Sequence, residues 1–185
     1  SMKQLLVEDL DEEKFQPIFL NFSAQTSANM TQDIIDGKLG KRRKGVYGPP
    51  LGQRKVVFVD DLNMPAKEEY GAQPPIEILR QWMDHEGWYD LKEIGDFRKL
   101  IDIQFVGAMG HPGGGRTRIT QRYIRHFNLI NCVPFPSSSL QKIFVTLTDW
   151  FLRKNDFNNS ICKQSENVVL ATIHIYNKIS AELLP

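Results

Sequence analysis

Cysteine is scarce in this chain: only Cys132 and Cys162 occur among 185 residues. Two thiols cannot build a disulfide framework or a four-cysteine zinc site, and they read as reduced thiols of a reducing compartment. An excess of one charge is also missing. Lys and Arg total 23 and Asp and Glu 22, for a net charge of +1. Such a balance gives no bulk field for nucleic acid or an anionic membrane, and neither is expected as a partner. No apolar run approaches the roughly 20 residues of a membrane-spanning helix. HExxH and paired-histidine spacings are absent, so zinc is not expected, and without GxSxG or a Cys–His arrangement covalent hydrolase chemistry has no support. The phosphate-cradling pattern GxxxxGK[ST] is likewise missing, and with it the lysine that would reach the β- and γ-phosphates. No secretory signal opens the sequence, and Ser1-Met2 reads as a tag remnant ahead of a start methionine.

What is present is an ordinary globular composition, 41% hydrophobic and 24% charged, enough to bury a core. After a polar lead-in at 3–14, Pro17 to Phe22 has the apolar, aromatic character of a buried strand. Ser27 or Thr31 can cap a helix over Met30 to Leu39. Residues 40–54 place four glycines and two prolines among Lys41, Arg42, Arg43, Lys44 and Arg54, which reads as a loop or short hairpin. That segment is either a solvated basic loop or a nucleic-acid patch without a stacking platform beyond Tyr47. Val56-Val57-Phe58-Val59 lacks polar alternation, the mark of a central strand covered on both faces. A helix is expected over Ile76 to His85, opened by Pro75 and ended by Gly87. Residues 88–100 form a short insertion, Ile101 to Met109 a third strand, Thr120 to His126 a helix and Phe127 to Val133 a fourth strand. Beyond Pro136, helices are expected over Leu140 to Arg153, capped from Ser137-Ser138-Ser139, and over Ser165 to Leu183, with a break at Asn158-Asn159. An α/β part therefore precedes a helical part.

The chemistry concentrates where strands end. Val56 to Val59 delivers Asp60 and Asp61 to the strand's C-terminal end, where open α/β sheets bind ligands. A hydrophobic strand followed by two acids is the Walker B pattern: the first acid holds the magnesium of a nucleotide and the second polarises the attacking water. The alternative is a pair of turn or capping aspartates. At the end of the next strand, Gly110 and His111 occupy the place of a phosphate sensor, with a plain loop histidine as the other reading. Gly113-Gly114-Gly115-Arg116 is no P-loop, and fits a flexible loop that brings Arg116 or Arg118 to a surface. Arg122 and Arg125, three apart on one helical face, suit either an arginine finger for a neighbouring subunit's nucleotide or a salt-bridged helix surface.

Longer motifs then accumulate: Asn21-Phe22-Ser23-Ala24-Gln25-Thr26-Ser27, Val57 to Asp61 continued by Leu62-Asn63-Met64-Pro65, Tyr70-Gly71-Ala72-Gln73-Pro74-Pro75, the Gly110 to Arg116 loop and Arg122-Tyr123-Ile124-Arg125-His126. Over residues 3–185 the chain resembles the dynein heavy chain, more narrowly the third AAA+ module of the motor ring in an axonemal member. The resemblance implies an α/β fold: the three-layer sandwich of AAA+ P-loop nucleotidases, lacking its P-loop strand, over 3–136, and a partial helical lid over 137–185. It implies ATP or ADP with Mg2+ in the parent protein and none in the isolated fragment, which should be inactive. Asp60 would hold the metal and Asp61 would stand at the catalytic acid position, with Asn63, Gly110 and His111 facing the nucleotide. Arg122 is the first candidate finger and Arg125 the second, each serving the preceding module. Asp61 in place of Glu, and Gly110-His111-Pro112 where cytoplasmic relatives carry a sensor Asn, imply binding with slow or no turnover. The implied partners are neighbouring AAA+ modules and, through other parts of the parent, the microtubule and the intermediate and light chains, in the cytoskeleton of the cilium or flagellum. The competing reading is a non-catalytic interaction or scaffold domain on a degenerate nucleotidase fold.

Overall fold

The structure, a computed structural model, describes residues 2–183. In chain order the elements are α1 (Met2–Gln4), running on into a π-helical turn (Leu5–Asp9), β1 (Phe15–Asn21), α2 (Ala28–Asp36), β2 (Gly40–Arg43), β3 (Val46–Gly48), β4 (Arg54–Asp60), α3 (Pro74–His85), β5 (Gly87–Tyr89), β6 (Phe97–Leu100), β7 (Ile103–Gly107), α4 (Gln121–Ile124), α5 (Ser137–Lys154), α6 (Asn159–Cys162) and α7 (Ser165–Glu182). They fall into two compact units, 1–129 and 130–185.

In the first unit the organising element is a parallel sheet of order β1-β4-β7. Phe15 to Asn21 of β1 run beside Arg54 to Asp60 of β4, and Lys55 to Val59 of β4 beside Ile103 to Gly107 of β7. Side chains alternate across a strand, so four successive apolar residues in β4 must be covered on both faces. Val57 and Val59 enter one core with Ile18, Leu20, Ile35, Ile76, Leu79 and Trp88. Val56 and Phe58 enter a second core, closed by Leu6 from the N-terminal turn and flanked by Leu10, Phe15 and Val106. The polar lead-in therefore supplies the lid of the second face.

The insertion and the basic loop join in a smaller sheet of order β2-β3-β6-β5. Trp88, fully buried, donates from Nε1 to Asp36 Oδ1 at 3.1 Å, and Arg98 pairs with the other Asp36 oxygen at 3.3 Å and with Asp90. Burial raises the Asp36 pKa above the ordinary aspartate value, with Trp88 and Arg98 pulling the other way. Arg42, alone of the four consecutive cations, folds back: it donates to the carbonyls of Pro49 (2.6 Å) and Pro50 (3.1 Å) and pairs with Asp102 at 2.9 Å.

Several expectations are corrected. Phe127 to Val133 is not a strand: no ladder pairs with it among the described residues, and Leu129, Ile130 and Val133 are exposed. An apolar run becomes a strand only beside a strand edge that it can pair with. The third strand is shorter than expected, because Asp102 has φ +56 and breaks the extended backbone before Ile103. Gly87 does not end α3. Glu86 does, in the left-handed conformation, and Gly87 opens β5, where a Cβ would lie 2.2 Å from the Arg98 carbonyl oxygen. Ser27 is the cap of α2, its side chain accepting from Met30 N, whereas Thr31 sits inside the helix. Gly37 closes that helix short of Leu39. In the second unit α5 starts directly after Pro136 with its serines in the first turn and no side-chain cap. Asn155 ends α5, and Asn158, in the expected break between the two long helices, caps the short α6. There α5 packs on α7, and Ser165 is hydrogen-bonded to Asp149.

The core assignment has a direct check. Leu79 is fully buried and Leu51 is 87% exposed. By urea unfolding, Leu79→Ala should cost about 2–5 kcal/mol and Leu51→Ala no more than about 0.5 kcal/mol.

Candidate functional site

The end of β4 is built from backbone constraints outward. Asp60 is the last ladder residue, opposite Asn21, and its carbonyl accepts from Phe22 N at 3.0 Å. Asp61 then takes φ +52, a left-handed conformation that ends the strand, and Met64 N closes the turn on the Asp61 carbonyl at 2.9 Å. The two carboxylates are 37% and 46% exposed. Each already carries a cation from its own chain. Lys3 Nζ lies 2.8 Å from Asp60 Oδ2 and also donates to Asn21 Oδ1 at 3.2 Å. Arg116 Nη2 lies 3.3 Å from Asp61 Oδ1. Carboxylate oxygens are the ligand type of a hard divalent cation, but in this structure both acids are paired with cationic side chains.

Asn63 is buried and does more than continue the motif. Its Nδ2 donates to the Gly110 carbonyl at 2.8 Å, and its own carbonyl accepts from Thr117 N (2.9 Å) and Thr117 Oγ1 (3.1 Å). One residue thus holds both ends of the loop from Gly110 to Thr117. Gln73, also buried, supports Thr117 Oγ1 and the Pro65 carbonyl from Nε2, each at 2.7 Å. The Asn63 Oδ1 atom is buried with no partner. Gly110 is thereby tied to Asn63. His111 beside it is exposed and makes no hydrogen bond or ion pair among the described residues.

Arg122 of α4 and Arg125, its C-cap, face acids on α3. Arg125 Nη2 lies 2.5 Å from Asp84 Oδ1, and His126 Nε2 is 3.0 Å from the same oxygen. The other Asp84 oxygen takes Arg80 Nη1 at 2.7 Å, and Arg80 Nε also holds Glu77 at 2.7 Å. Desolvation opposes ionisation of Asp84, but Arg125, His126 and Arg80 outweigh it and hold the carboxyl below its ordinary pKa. Arg122 is only loosely tied, 4.0 Å from Glu77 and 70% exposed. Of the two arginines, Arg125 is engaged within the chain and Arg122 is displayed. Sequence reading singled out Asp60, Asp61, Asn63, Gly110, His111, Arg122 and Arg125; it missed Lys3, Gln73, Glu77, Asp84 and Thr117 as their partners. A buried glutamine just before the two prolines that open α3 was the one available signal.

Among the described residues no cluster of three or more His, Cys, Asp or Glu side chains could hold a metal ion, and no helix is long and apolar enough to cross a membrane.

A parallel sheet with helices against it is consistent with a fragment of an AAA+ P-loop type of α/β fold. Residues 1–135 match the family described as the P-loop containing dynein motor region, and the chain belongs to that family. It is 54% identical over 177 residues to dynein axonemal heavy chain 1 of Rattus norvegicus, covering 90% of this chain and 4% of that protein. It is 47% identical over 184 residues to dynein axonemal heavy chain 12 of the same species, covering 100% of this chain and 6% of the relative. Dynein axonemal heavy chain 3 of Mus musculus is 51% identical over 176 residues, which are 95% of this chain and 4% of the heavy chain. The chain therefore spans only 4–6% of the length of these curated relatives.

The Asp84 network sets a pH signature. A carboxyl whose folded pKa is depressed contributes stability above its unfolded pKa, and loses it as pH falls through the folded value. Asp84→Asn should destabilise the chain at pH 7, and the difference from wild type in urea midpoint should shrink progressively as pH falls below the ordinary aspartate value of 3.8.

Proposed function

We propose that this chain is a fragment of the third AAA+ module of an axonemal dynein heavy chain, an ATP-driven, minus-end-directed microtubule motor of cilia and flagella. The carrying observation is the pairing of Asp60 and Asp61 at the C-terminal end of the central parallel strand, in a chain whose relatives are named as axonemal heavy chains. In this reading Asp60 holds the Mg2+ of ATP or ADP, which when bound supplies charge neutralisation at the phosphates. Asp61 takes the catalytic acid position, and Asn63, Gly110 and His111 line the nucleotide side. Arg122 serves the neighbouring module's nucleotide, a role supported by its exposure, and Arg125 comes second because Asp84 already holds it. The module binds nucleotide with slow or no turnover and regulates the ring. Its immediate partners are the adjacent AAA+ modules. Contacts with the microtubule and with intermediate and light chains belong to other parts of the heavy chain, in the axonemal cytoskeleton.

A second reading, a non-catalytic interaction domain, draws on the internal ion pairs that neutralise both acids. The two separate on one substitution. In the full heavy chain, Asp60→Asn should lower the amount of magnesium nucleotide bound per chain and slow microtubule gliding; unchanged binding and gliding would favour the interaction domain. The isolated 185-residue chain should release no phosphate from ATP by a malachite-green assay. Magnesium-dependent turnover abolished by Asp61→Ala would contradict that expectation.

A further inference from the structure

The loop from Gly110 to Thr117 is the feature that the sequence reading left as a flexible surface segment. Its centre is a tight turn. Gly113 and Arg116 exchange both backbone hydrogen bonds, at 2.9 and 3.0 Å, and the residues between them, Gly114 and Gly115, have φ of +55° and +83°. Two consecutive positive φ values between paired residues are the type I′ pattern, which fixes the positions on either side of it. The loop's ends are held by Asn63, two residues beyond Asp61. The backbone of Arg116 is therefore set relative to the acid pair, and its side chain lies across Gly110, where a Cβ would come within 2.8 Å of Arg116 Nε. Its tip reaches Asp61.

The bond made there is a weak one. A single 3.3 Å contact joins two groups that are 39% and 46% exposed, so water competes with it and the planar fork of the guanidinium is only partly used. A phosphate group offers that fork two charge-assisted acceptors. In the nucleotide-binding reading, the acid at position 61 faces the water that attacks the terminal phosphate, so a cation seated on Asp61 borders that phosphate.

We propose that Arg116 is a phosphate-binding residue of this site: its guanidinium pairs with Asp61 when no anion is present and transfers to the terminal phosphate of a nucleoside triphosphate, leaving Asp61 unpaired. This role rests on the nucleotide-binding reading and goes beyond it, and it gives the cation of the strand-end loop to Arg116 rather than to His111. A nucleoside diphosphate, which lacks the terminal group, does not displace the pair.

Amide hydrogen exchange in the full heavy chain, followed by mass spectrometry of peptides covering residues 57–64 and 108–118, reads this module alone. The ligands are Mg-ATPγS and Mg-ADP, titrated separately. In wild type both slow exchange in these peptides. In Arg116→Gln the concentration of Mg-ATPγS giving half protection should rise about tenfold, while that of Mg-ADP stays within about twofold, as expected for loss of one hydrogen-bonded charge contact. Arg116→Lys, which keeps the charge and loses the fork, should fall between. If Arg116→Gln alters exchange over Arg54–Asp60 without ligand, Arg116→Lys carries the comparison. An unchanged Mg-ATPγS midpoint in the Arg116 variants, with protection abolished in Asp60→Asn, overturns the role of Arg116 and leaves the nucleotide site standing. Equal weakening of both ligands overturns it as a reader of the terminal phosphate. Absence of protection by either ligand in wild type overturns both readings.

Discussion

Two-sided burial of β4 is the constraint on which the first unit depends. A strand with apolar residues at four successive positions cannot lie at a surface, so helices must cover one face and the N-terminal turn the other. Parallel neighbours on both edges then fix its register. Once that register is set, the position of Asp60 follows from ladder geometry, and that of Asp61 from the left-handed residue needed to leave the strand. The acids need no binding energy of their own to be brought together. Apolar burial far from their carboxylates does it.

Polar contacts of two kinds are layered on this frame. Buried Asn63 and Gln73 hold half-buried Thr117 by hydrogen bonds within the protein, and Asn63 also holds the Gly110 carbonyl, so the loop is tied at both ends. The pairs of Lys3 with Asp60, Arg116 with Asp61 and Arg122 with Glu77 are open to water and contribute little to stability. Rigid groups therefore position exchangeable ones. A site built this way keeps its geometry while its charges change partners.

Much of this was legible in the residues. Val56 to Val59 announced a central strand because no other environment accommodates four consecutive apolar residues there, and Asp60-Asp61 followed it without a gap. The helix opened by Pro74 and Pro75 was equally plain. Phe127 to Val133 looked just as strand-like, and misled for the opposite reason: composition specifies what a segment can become, while pairing depends on an edge elsewhere in space. In the loop, His111 stood nearest to the strand end in sequence, but the type I′ turn brings Arg116 back across Gly110. Contact with Asp61 falls to Arg116, five residues further along the chain than His111. The partners of Arg125 were hidden because Asp84 lies 41 residues away on a separate helix.

The basic run Lys41-Arg42-Arg43-Lys44 reads as one surface feature, yet its members are not equivalent. Arg42 is bound to two proline carbonyls and a carboxylate through three different guanidinium nitrogens, a spread of donors that the compact ammonium of lysine does not reproduce. Its charge is spent inside the protein. The surface field of that hairpin is consequently that of three cations, and drift of sequence between lysine and arginine at 41, 43 and 44 would leave the fold alone. The same exchange at 42 would loosen the Gly48-Pro49-Pro50 corner that leads the chain into β4.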